Sequence, residues 1–178
     1  MKKLMVMLAA VAMAVGAQAA SVSWTCTNVK DSSGNTINGV AYFVNAATLS
    51  QSDAAAFTSA AEWTAALSGM YSYTPTTAGK YTSAAVENSK LGLSDATAST
   101  AYLVIFDTAT ITDASNYYMT EVKSFETLSG TFEQQVKWGS QSTPSQAAGA
   151  WTAVAPEPTS GLLMLVGLAG LALRRRRA

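Results

Sequence analysis

The sequence predicts a mainly β protein: an antiparallel, sandwich-like domain with one alanine-rich helix, between an N-terminal signal peptide and a short C-terminal transmembrane helix. Three features of residues 20–154 favour the β domain. The segment contains all sixteen aromatic residues of the chain on a background rich in serine and threonine, which suits half-buried pleated surfaces. Short runs of strand-like pattern recur along it. Charge is sparse and apolar content ample, which argues against disorder.

Strand predictions follow from the spacing of apolar residues. The first strand is predicted over residues 21–27, where Val22, Trp24 and Cys26 alternate with serine and threonine. Residues 102–106 (YLVIF) are apolar at every position, which predicts a central strand covered on both faces. The other predicted strands span residues 39–45, 117–125, 131–138 and 150–154.

The helix is predicted over residues 52–67, which are rich in alanine. Within this segment apolar residues recur at roughly helical spacing, with Trp63 and Leu67 as the largest members. Ser50 or Ser52 is available as the N-cap, and Gly69 would end the helix.

Composition excludes several classes of function. The chain has 178 residues, which fits one domain of ordinary size. It contains no histidine and one cysteine, so histidine-based nucleophile pairs, histidine-ligated metals and disulfide frameworks are excluded, and we expect no cofactor. Residues 20–155 contain five lysines, no arginine and ten acidic residues, and this net charge of −5 would repel nucleic acid.

The N-terminal end has the pattern of a secretory signal peptide. Two lysines follow Met1, residues 4–15 form an uninterrupted apolar run, and Ala17 and Ala19 occupy the −3 and −1 positions before Ala20. The apolar run is short for a transmembrane helix. We therefore expect export, with residues 1–19 removed by signal peptidase.

The C-terminal end combines three elements in order. Pro156, Glu157 and Pro158 resist both helix and sheet, because proline fixes φ and lacks a backbone donor. Residues 161–173 form an apolar run of thirteen residues, short of a full membrane span. A basic cluster then favours the cytoplasmic side of a membrane, where long basic side chains reach the headgroups. This cluster consists of Arg174, Arg175, Arg176 and Arg177.

This ordered combination resembles the PEP-CTERM sorting signal of exported bacterial proteins, and the resemblance covers residues 155–178. It implies recognition by exosortase, a membrane-embedded processing enzyme. Pro156, Glu157 and Pro158 would then be the recognition element, residues 161–173 a transient anchor, and the arginines a cytoplasmic stop. The class is associated with exopolysaccharide, biofilm and the cell surface, so the resemblance implies exopolysaccharide as a partner. A permanent, uncleaved anchor stays open as an alternative.

Within the domain, few residues suggest chemistry. Cys26 is predicted to be a buried, inert thiol, and Asp31 a turn residue. Asp107 and Asp113 flank a short segment after the predicted central strand and could form a carboxylate pair for glycoside hydrolysis. The aromatic residues are expected to be mostly core, although some could form an exposed platform for sugars. The candidates are Trp24, Trp63, Trp138, Trp151, Tyr71, Tyr73 and Tyr81.

These observations lead to one main interpretation and two alternatives. We expect an exported cell-surface or extracellular-matrix protein, sorted through its C-terminal signal and without catalysis of its own. The first alternative is a secreted carbohydrate-binding module that uses the aromatic platform. The second is a small hydrolase built on Asp107 and Asp113.

Overall fold

The computed structural model describes residues 19–31, 33–139 and 151–154, and these contain ten strands and two short α-helices. The helices are α1 (Gln51–Ala55) and α2 (Ala60–Ala66), and two 3-10 turns lie at Asn88–Leu91 and Ile111–Asp113. The strands are β1 (Ser21–Thr27), β2 (Ala41–Asn45), β3 (Ser72–Tyr73), β4 (Lys80–Thr82), β5 (Val86–Glu87), β6 (Ala98–Phe106), β7 (Asn116–Met119), β8 (Lys123–Glu126), β9 (Glu133–Trp138) and β10 (Thr152–Ala153). The domain is therefore mainly β, as predicted.

Sheet one is built around β1. One edge of β1 pairs antiparallel with β5 and then β4, and the other edge pairs parallel with β9 over Ser21 to Cys26. Val22, Trp24 and Cys26 are fully buried, so the alternation predicted for this strand is confirmed. Every other strand pair within the described residues is antiparallel, so the domain is mainly antiparallel, with this one parallel pair as an exception that the sequence did not predict. Because β9 follows a strand of the other sheet, it reaches β1 by a crossing segment, and its direction is not set by a hairpin.

Sheet two has β6 at its centre. One edge of β6 pairs with β2, which is followed by β3. The other edge pairs first with β8 and further along with β7, which carries β10. All of these pairs are antiparallel. The final six residues of β6 are buried, which confirms the prediction of a central strand covered on both faces.

Two hydrophobic clusters explain this burial. The first lies between the sheets and joins Trp24 and Trp138 of sheet one to Phe43 and Leu103 of sheet two. The second lies on the opposite face of sheet two, where α1, α2 and the turn at Ile111–Asp113 cover it. Sheet two is thus the middle of three layers, and β6 contributes to both clusters.

The single predicted helix is wrong: two helices occupy its place. The Ser59 hydroxyl accepts the Glu62 amide at 3.3 Å, and the Glu62 carboxylate accepts the Thr58 amide at 2.6 Å. This exchange is close to a capping box and starts a new helix at Ala60. The sequence signal was present as a serine three residues before a glutamate, but the alanine-rich composition hides it. Ser50 is the N-cap of α1, as one of the two predicted candidates.

Other parts of the sheets are more finely divided than the sequence predicts. Residues 117–125 form two strands, β7 and β8, separated where the Thr120 hydroxyl accepts the Leu103 amide at 2.9 Å. Strands β3, β4 and β5 have two or three residues each, too short to show a periodic pattern. No helix within the described residues is long and apolar enough to cross a membrane. The predicted signal peptide up to residue 18 and the predicted tail helix lie outside the described residues.

Candidate functional site

The predicted signal-peptidase site adjoins the first strand of the fold. Ala19 is exposed, whereas Ala20 is only 1% exposed, and Ala17 lies outside the described residues. The Ala20 carbonyl accepts the Asn88 amide at 2.9 Å, and the Ser21 amide donates to the Phe132 carbonyl at 3.2 Å. The chain is therefore held on both sides immediately after the predicted cleavage bond.

The other end of the domain is also built into a sheet. Strand β10 pairs with β7, and the next residue, Val154, is buried in the cluster under the helices. Its amide donates to the Ser115 carbonyl at 2.9 Å. One residue, Ala155, separates Val154 from the predicted sorting motif. That motif (Pro156, Glu157, Pro158) and Arg174 to Arg177 lie outside the described residues.

Asn88 is a buried polar residue next to the N-terminal end. Its Nδ2 donates to Asp95 Oδ1 at 2.7 Å and to the Leu128 carbonyl at 3.4 Å. Its Oδ1 is buried and accepts no hydrogen bond within the part of the chain that the structure describes. Sequence analysis missed Asn88, because nothing in its local pattern distinguishes a buried asparagine from the many exposed ones of turns.

The two candidate hydrolase carboxylates brace their own loop. Asp107 accepts the Ser115 amide at 3.0 Å and Asn116 Nδ2 at 2.9 Å. Asp113 accepts the hydroxyl of Thr110 at the start of the turn that contains it. Each carboxylate thus has a local structural partner. Among the described residues, no group of three histidine, cysteine, aspartate or glutamate side chains could hold a metal ion.

Asp31 also has a structural role, as the sequence predicts. Its Oδ1 accepts the amides of Ser33 at 2.9 Å and Asn35 at 2.8 Å. These hydrogen bonds, with that from the Asn35 amide the largest, lower the pKa of the Asp31 carboxyl. The carboxylate therefore closes a turn in the manner of an Asx turn.

Most of the candidate sugar platform is core. Trp24, Trp63, Trp138 and Tyr81 are at most 1% exposed. These rings pack against other rings. The Trp63 ring centroid, for example, lies 4.6 Å from that of Tyr117 and 4.9 Å from that of Phe57. Cys26 is buried as predicted. Half-buried aromatic faces remain at Tyr71, Tyr73 and Trp151.

Two adjoining grooves, here called the Asn45 grooves, lie between the end of β2 and the segment after Asn88–Leu91. Their volumes are about 550 Å³ and 310 Å³, and Asn45 and Gly92 line both. Asn45 Nδ2 donates to the Gly92 carbonyl at 2.7 Å, so these two hydrogen-bonded residues are shared by both grooves. The larger groove is lined by Thr97, Ser99, Thr100, Ser124, Phe125 and Glu126, among others. The smaller includes Tyr71, Met70 and Lys90.

Comparison with known proteins identifies the C-terminal segment and leaves the domain unrecognised. A family model described as the PEP-CTERM protein-sorting motif matches residues 154–177. No curated protein and no solved structure matches the chain. The match confirms the resemblance seen in the sequence. It implies export, processing by an exosortase-like enzyme at the membrane, and delivery to the cell surface.

Proposed function

We propose that this chain is a non-enzymatic protein of the cell surface or extracellular matrix, and that its β domain is the part displayed after both ends have been processed. The observation that carries the proposal is that the matched sorting signal starts at Val154, directly after strand β10 and at the last residue that the structure describes. The predicted leader likewise ends where β1 begins. Both sheets are therefore built from residues that lie between the two signals.

The short connection at the C-terminal end restricts the domain before processing. Six residues, 155–160, separate Val154 from Gly161, the first residue of the apolar run, so the two are seven residue steps apart. A fully extended chain covers at most about 3.6 Å per residue, so the domain is tethered within about 25 Å of that run. The processing enzyme would act close to the β7–β10 edge of sheet two.

The buried position of Ala20 supports an order of events. A peptidase that cleaves the Ala19–Ala20 bond needs the chain around it extended and accessible, whereas in the fold Ala20 is 1% exposed and held by Asn88. We infer that the leader is removed before β1 pairs with β5 and β9. Folding of sheet one then follows export.

The absence of catalysis is supported by the positions of the acidic residues. Asp107 holds Ser115 and Asn116, and Asp113 holds Thr110, so both carboxylates have structural tasks. On this proposal Asp107→Asn lowers the melting temperature of the protein. A hydrolase would instead keep its stability and lose turnover of a glycan. Thermal unfolding and a reducing-sugar assay on the same sample separate the two.

The proposed processing is tested by the intact mass of the protein from its native host, together with cell fractionation. We expect a mass that starts at Ala20 and ends near Pro158, in the surface or extracellular fraction. Glu157→Gln should retain the tail and hold the protein in the membrane fraction. The matched control Glu133→Gln, which changes an exposed acid elsewhere, should be processed normally. A wild-type mass that extends to Ala178 in the membrane would establish a permanent anchor.

A second candidate function, binding of a neutral glycan, is favoured by the Asn45 grooves. Their walls combine hydroxyl groups with the half-buried rings of Tyr71 and Phe125, and sugars present both hydroxyls and apolar C–H faces to such surfaces. The net charge of −5 over residues 20–155 would disfavour polyanionic polysaccharides.

This candidate is tested by calorimetric titration of soluble neutral glucans into the exported protein. Binding that weakens at least about tenfold in Tyr71→Ala, equivalent to about 1.4 kcal/mol, would support the groove as the site. Tyr42→Ala is the matched control, because Tyr42 is half-buried and lies outside the grooves. If no glucan gives saturable heat, the candidate is rejected.

A further inference from the structure

We propose that β9 is the contact strand of a symmetric dimer, in which two copies of this chain pair their β9 strands antiparallel about Gln135. The partner is a second copy of the same domain, and the contact joins sheet one of each copy into one continuous sheet. Such pairing adds an assembly step to display at the surface, and it does not depend on how either end of the chain is processed.

Strand β9 is the longest of the strands that pair with a single other strand within the described residues. It has six residues and pairs with β1 alone. The other outer strands, β3, β4, β5, β8 and β10, have two to four residues each. A short edge strand offers little backbone to a partner, whereas a long one presents a row of N–H and C=O groups. The outer side of β9 is therefore the edge best suited to strand addition.

The register with β1 shows which backbone groups of β9 point outward. The Ser21 amide donates to the Phe132 carbonyl at 3.2 Å, so Phe132 directs its carbonyl toward β1. Because these directions alternate along a strand, three residues direct their N–H and C=O groups away from β1, namely Glu133, Gln135 and Lys137. Their side chains are exposed as well.

One of these outward groups has a weak partner within the chain. The Gln135 carbonyl accepts Nε2 of the Gln134 side chain at 3.3 Å, between exposed groups. A carbonyl oxygen has two lone pairs, so it can also accept the amide of an added strand. The edge is therefore open to backbone pairing at all three positions.

The charges along β9 are complementary to those of a second β9 that runs antiparallel to it. With Gln135 opposite its own equivalent, Glu133 lies opposite Lys137 of the partner subunit, and Lys137 lies opposite the partner's Glu133. All three are hydrogen-bonded pairs, because each joins two residues whose backbone groups face outward. Opposite charges at facing positions stabilise a pair of strands, and like charges destabilise it.

Other alignments of the two strands lose this match. A parallel pair in register places glutamate beside glutamate and lysine beside lysine. Sliding an antiparallel partner by two residues leaves the charges against the neutral Gln135 and reduces the hydrogen-bonded pairs from three to two. Within one chain Glu133 and Lys137 are about 13 Å apart along the strand, too far to pair with each other. Neither forms an ion pair among the described residues, so a second copy is the partner that these charges fit.

The same alignment brings an exposed aromatic ring to the partner. Phe132 directly precedes β9 and is 67% exposed. Antiparallel pairing about Gln135 places it opposite the partner's Trp138, at the end of the facing strand. Covering this ring removes apolar surface from water, which favours association. Because the two-fold axis uses the outer edge of β9 in both copies, assembly through this edge stops at the dimer.

Sedimentation velocity of the mature protein, over a range of concentrations at low ionic strength, measures the association. We expect the mass of a dimer for the wild-type protein. Lys137→Glu and Glu133→Lys each place like charges opposite each other twice, so each should raise the dissociation constant at least about tenfold. An equimolar mixture of these two variants restores both opposite pairs and should associate within about threefold of the wild type.

The matched control is Lys80→Glu, which reverses an exposed lysine on β4 at the other edge of sheet one and should dimerise normally. All of these substitutions change exposed side chains, and circular dichroism should show the wild-type fold in each. A wild-type protein that stays monomeric at about 1 mM would overturn the dimer. A dimer that both β9 variants leave unchanged, or a mixture no tighter than its components, would overturn the contact.

Amide hydrogen exchange separates strand pairing at β9 from a dimer through another surface. The amides of Glu133, Gln135 and Lys137 should exchange at least about tenfold more slowly in the wild-type dimer than in Lys137→Glu. If they are equally protected in both proteins, the chain itself covers this edge. If they exchange rapidly in the wild-type dimer, association uses another surface. Either result would overturn the proposal.

Discussion

The two sheets differ in how they are covered. Sheet one fully buries one face of β1, whereas on the opposite face only Ser23 is buried, and Thr25 and Thr27 are half-buried. Sheet two is buried on both faces, because sheet one packs on one side of β6 and the two helices pack on the other. A strand covered once shows alternation in its sequence, and a strand covered twice shows a continuous apolar run. The comparison predicts where substitutions will be most costly.

The largest effect is expected at Gly39, where the segment before β2 runs beside the end of β6. An added Cβ would lie 1.6 Å from the Phe106 carbonyl oxygen, far inside van der Waals contact. Because that oxygen is backbone, the neighbour cannot yield without moving β6. We expect Gly39→Ala to prevent folding at ambient temperature, measured by far-UV circular dichroism and Tyr/Trp fluorescence. Gly34→Ala is the comparison: its Cβ would meet no atom within 4 Å, but the φ of +87° disfavours alanine, so this variant should fold with reduced stability. Native-like spectra for Gly39→Ala would contradict the prediction.

The second-largest loss of stability is expected from replacing a buried tryptophan, and we compare one on each side of sheet two. Trp24 lies between the sheets and Trp63 lies under the helices, and both are 0% exposed. We expect Trp24→Ala and Trp63→Ala each to lower the free energy of unfolding by about 3–5 kcal/mol. Because β6 packs into both clusters, each variant should unfold in one transition by fluorescence and circular dichroism. Two separate transitions in Trp63→Ala would show that the helical layer unfolds independently.

The stability of the protein at alkaline pH should depend on two buried tyrosines, one on each face of sheet two. Burial raises the pKa of Tyr102, on the helix side, and of Tyr118, between the sheets, to about 12. In the unfolded chain each ionises near 10, so their contribution to stability is complete below pH 10 and is lost as the pH rises toward 12.

Denaturant unfolding at a series of pH values measures this loss. Tyr102→Phe and Tyr118→Phe should each make the stability between pH 10 and 12 less dependent on pH, because each removes one titrating group. If absorbance at 295 nm shows these tyrosines ionising near pH 10 in the folded protein, the assigned burial effect is wrong.

The smallest changes in stability are expected from removing a buried hydroxyl, and we compare one from each sheet. Thr120 accepts the Leu103 amide at 2.9 Å, and Thr120→Val leaves that amide without its partner, at a cost of about 1–3 kcal/mol. The Ser23 hydroxyl is buried and has no hydrogen-bond partner among the described residues, so Ser23→Ala should change stability by less than about 0.5 kcal/mol. A large loss in Ser23→Ala would reveal a partner for that hydroxyl.

The hydrophobic pattern alone was sufficient to predict a strand where each face of that strand has the same environment along its length. The alternation in residues 21–27 and the apolar run 102–106 predicted β1 and the buried part of β6 correctly. The hydrophobic pattern failed where a side-chain hydrogen bond interrupts an element: the Ser59–Glu62 cap divides the helix, and the bond from the Leu103 amide of β6 to the Thr120 hydroxyl lies between β7 and β8. Both interruptions involve side-chain hydrogen bonds, which a hydrophobic period does not record.

The candidate functional residues likewise include some that the sequence predicted and some that it did not. The sequence alone predicted the sorting signal, because such signals are read as linear segments and their composition is their function. It could not distinguish buried from exposed aromatics, and it gave no reason to single out Asn88 or Asn45.

The order of residues along this chain therefore determined which faces are apolar and which end segments address the protein. The tertiary structure decided which strands meet, that β9 runs parallel to β1, that three of the four tryptophans are fully buried and that the main-chain amide of Asn88 donates to the Ala20 carbonyl. The physical reason is separation: periodicity acts between near neighbours, whereas the last ladder bond of Ala20 joins residues far apart in sequence. Such contacts form only when the whole set of pairings is favourable together, so no single segment encodes them.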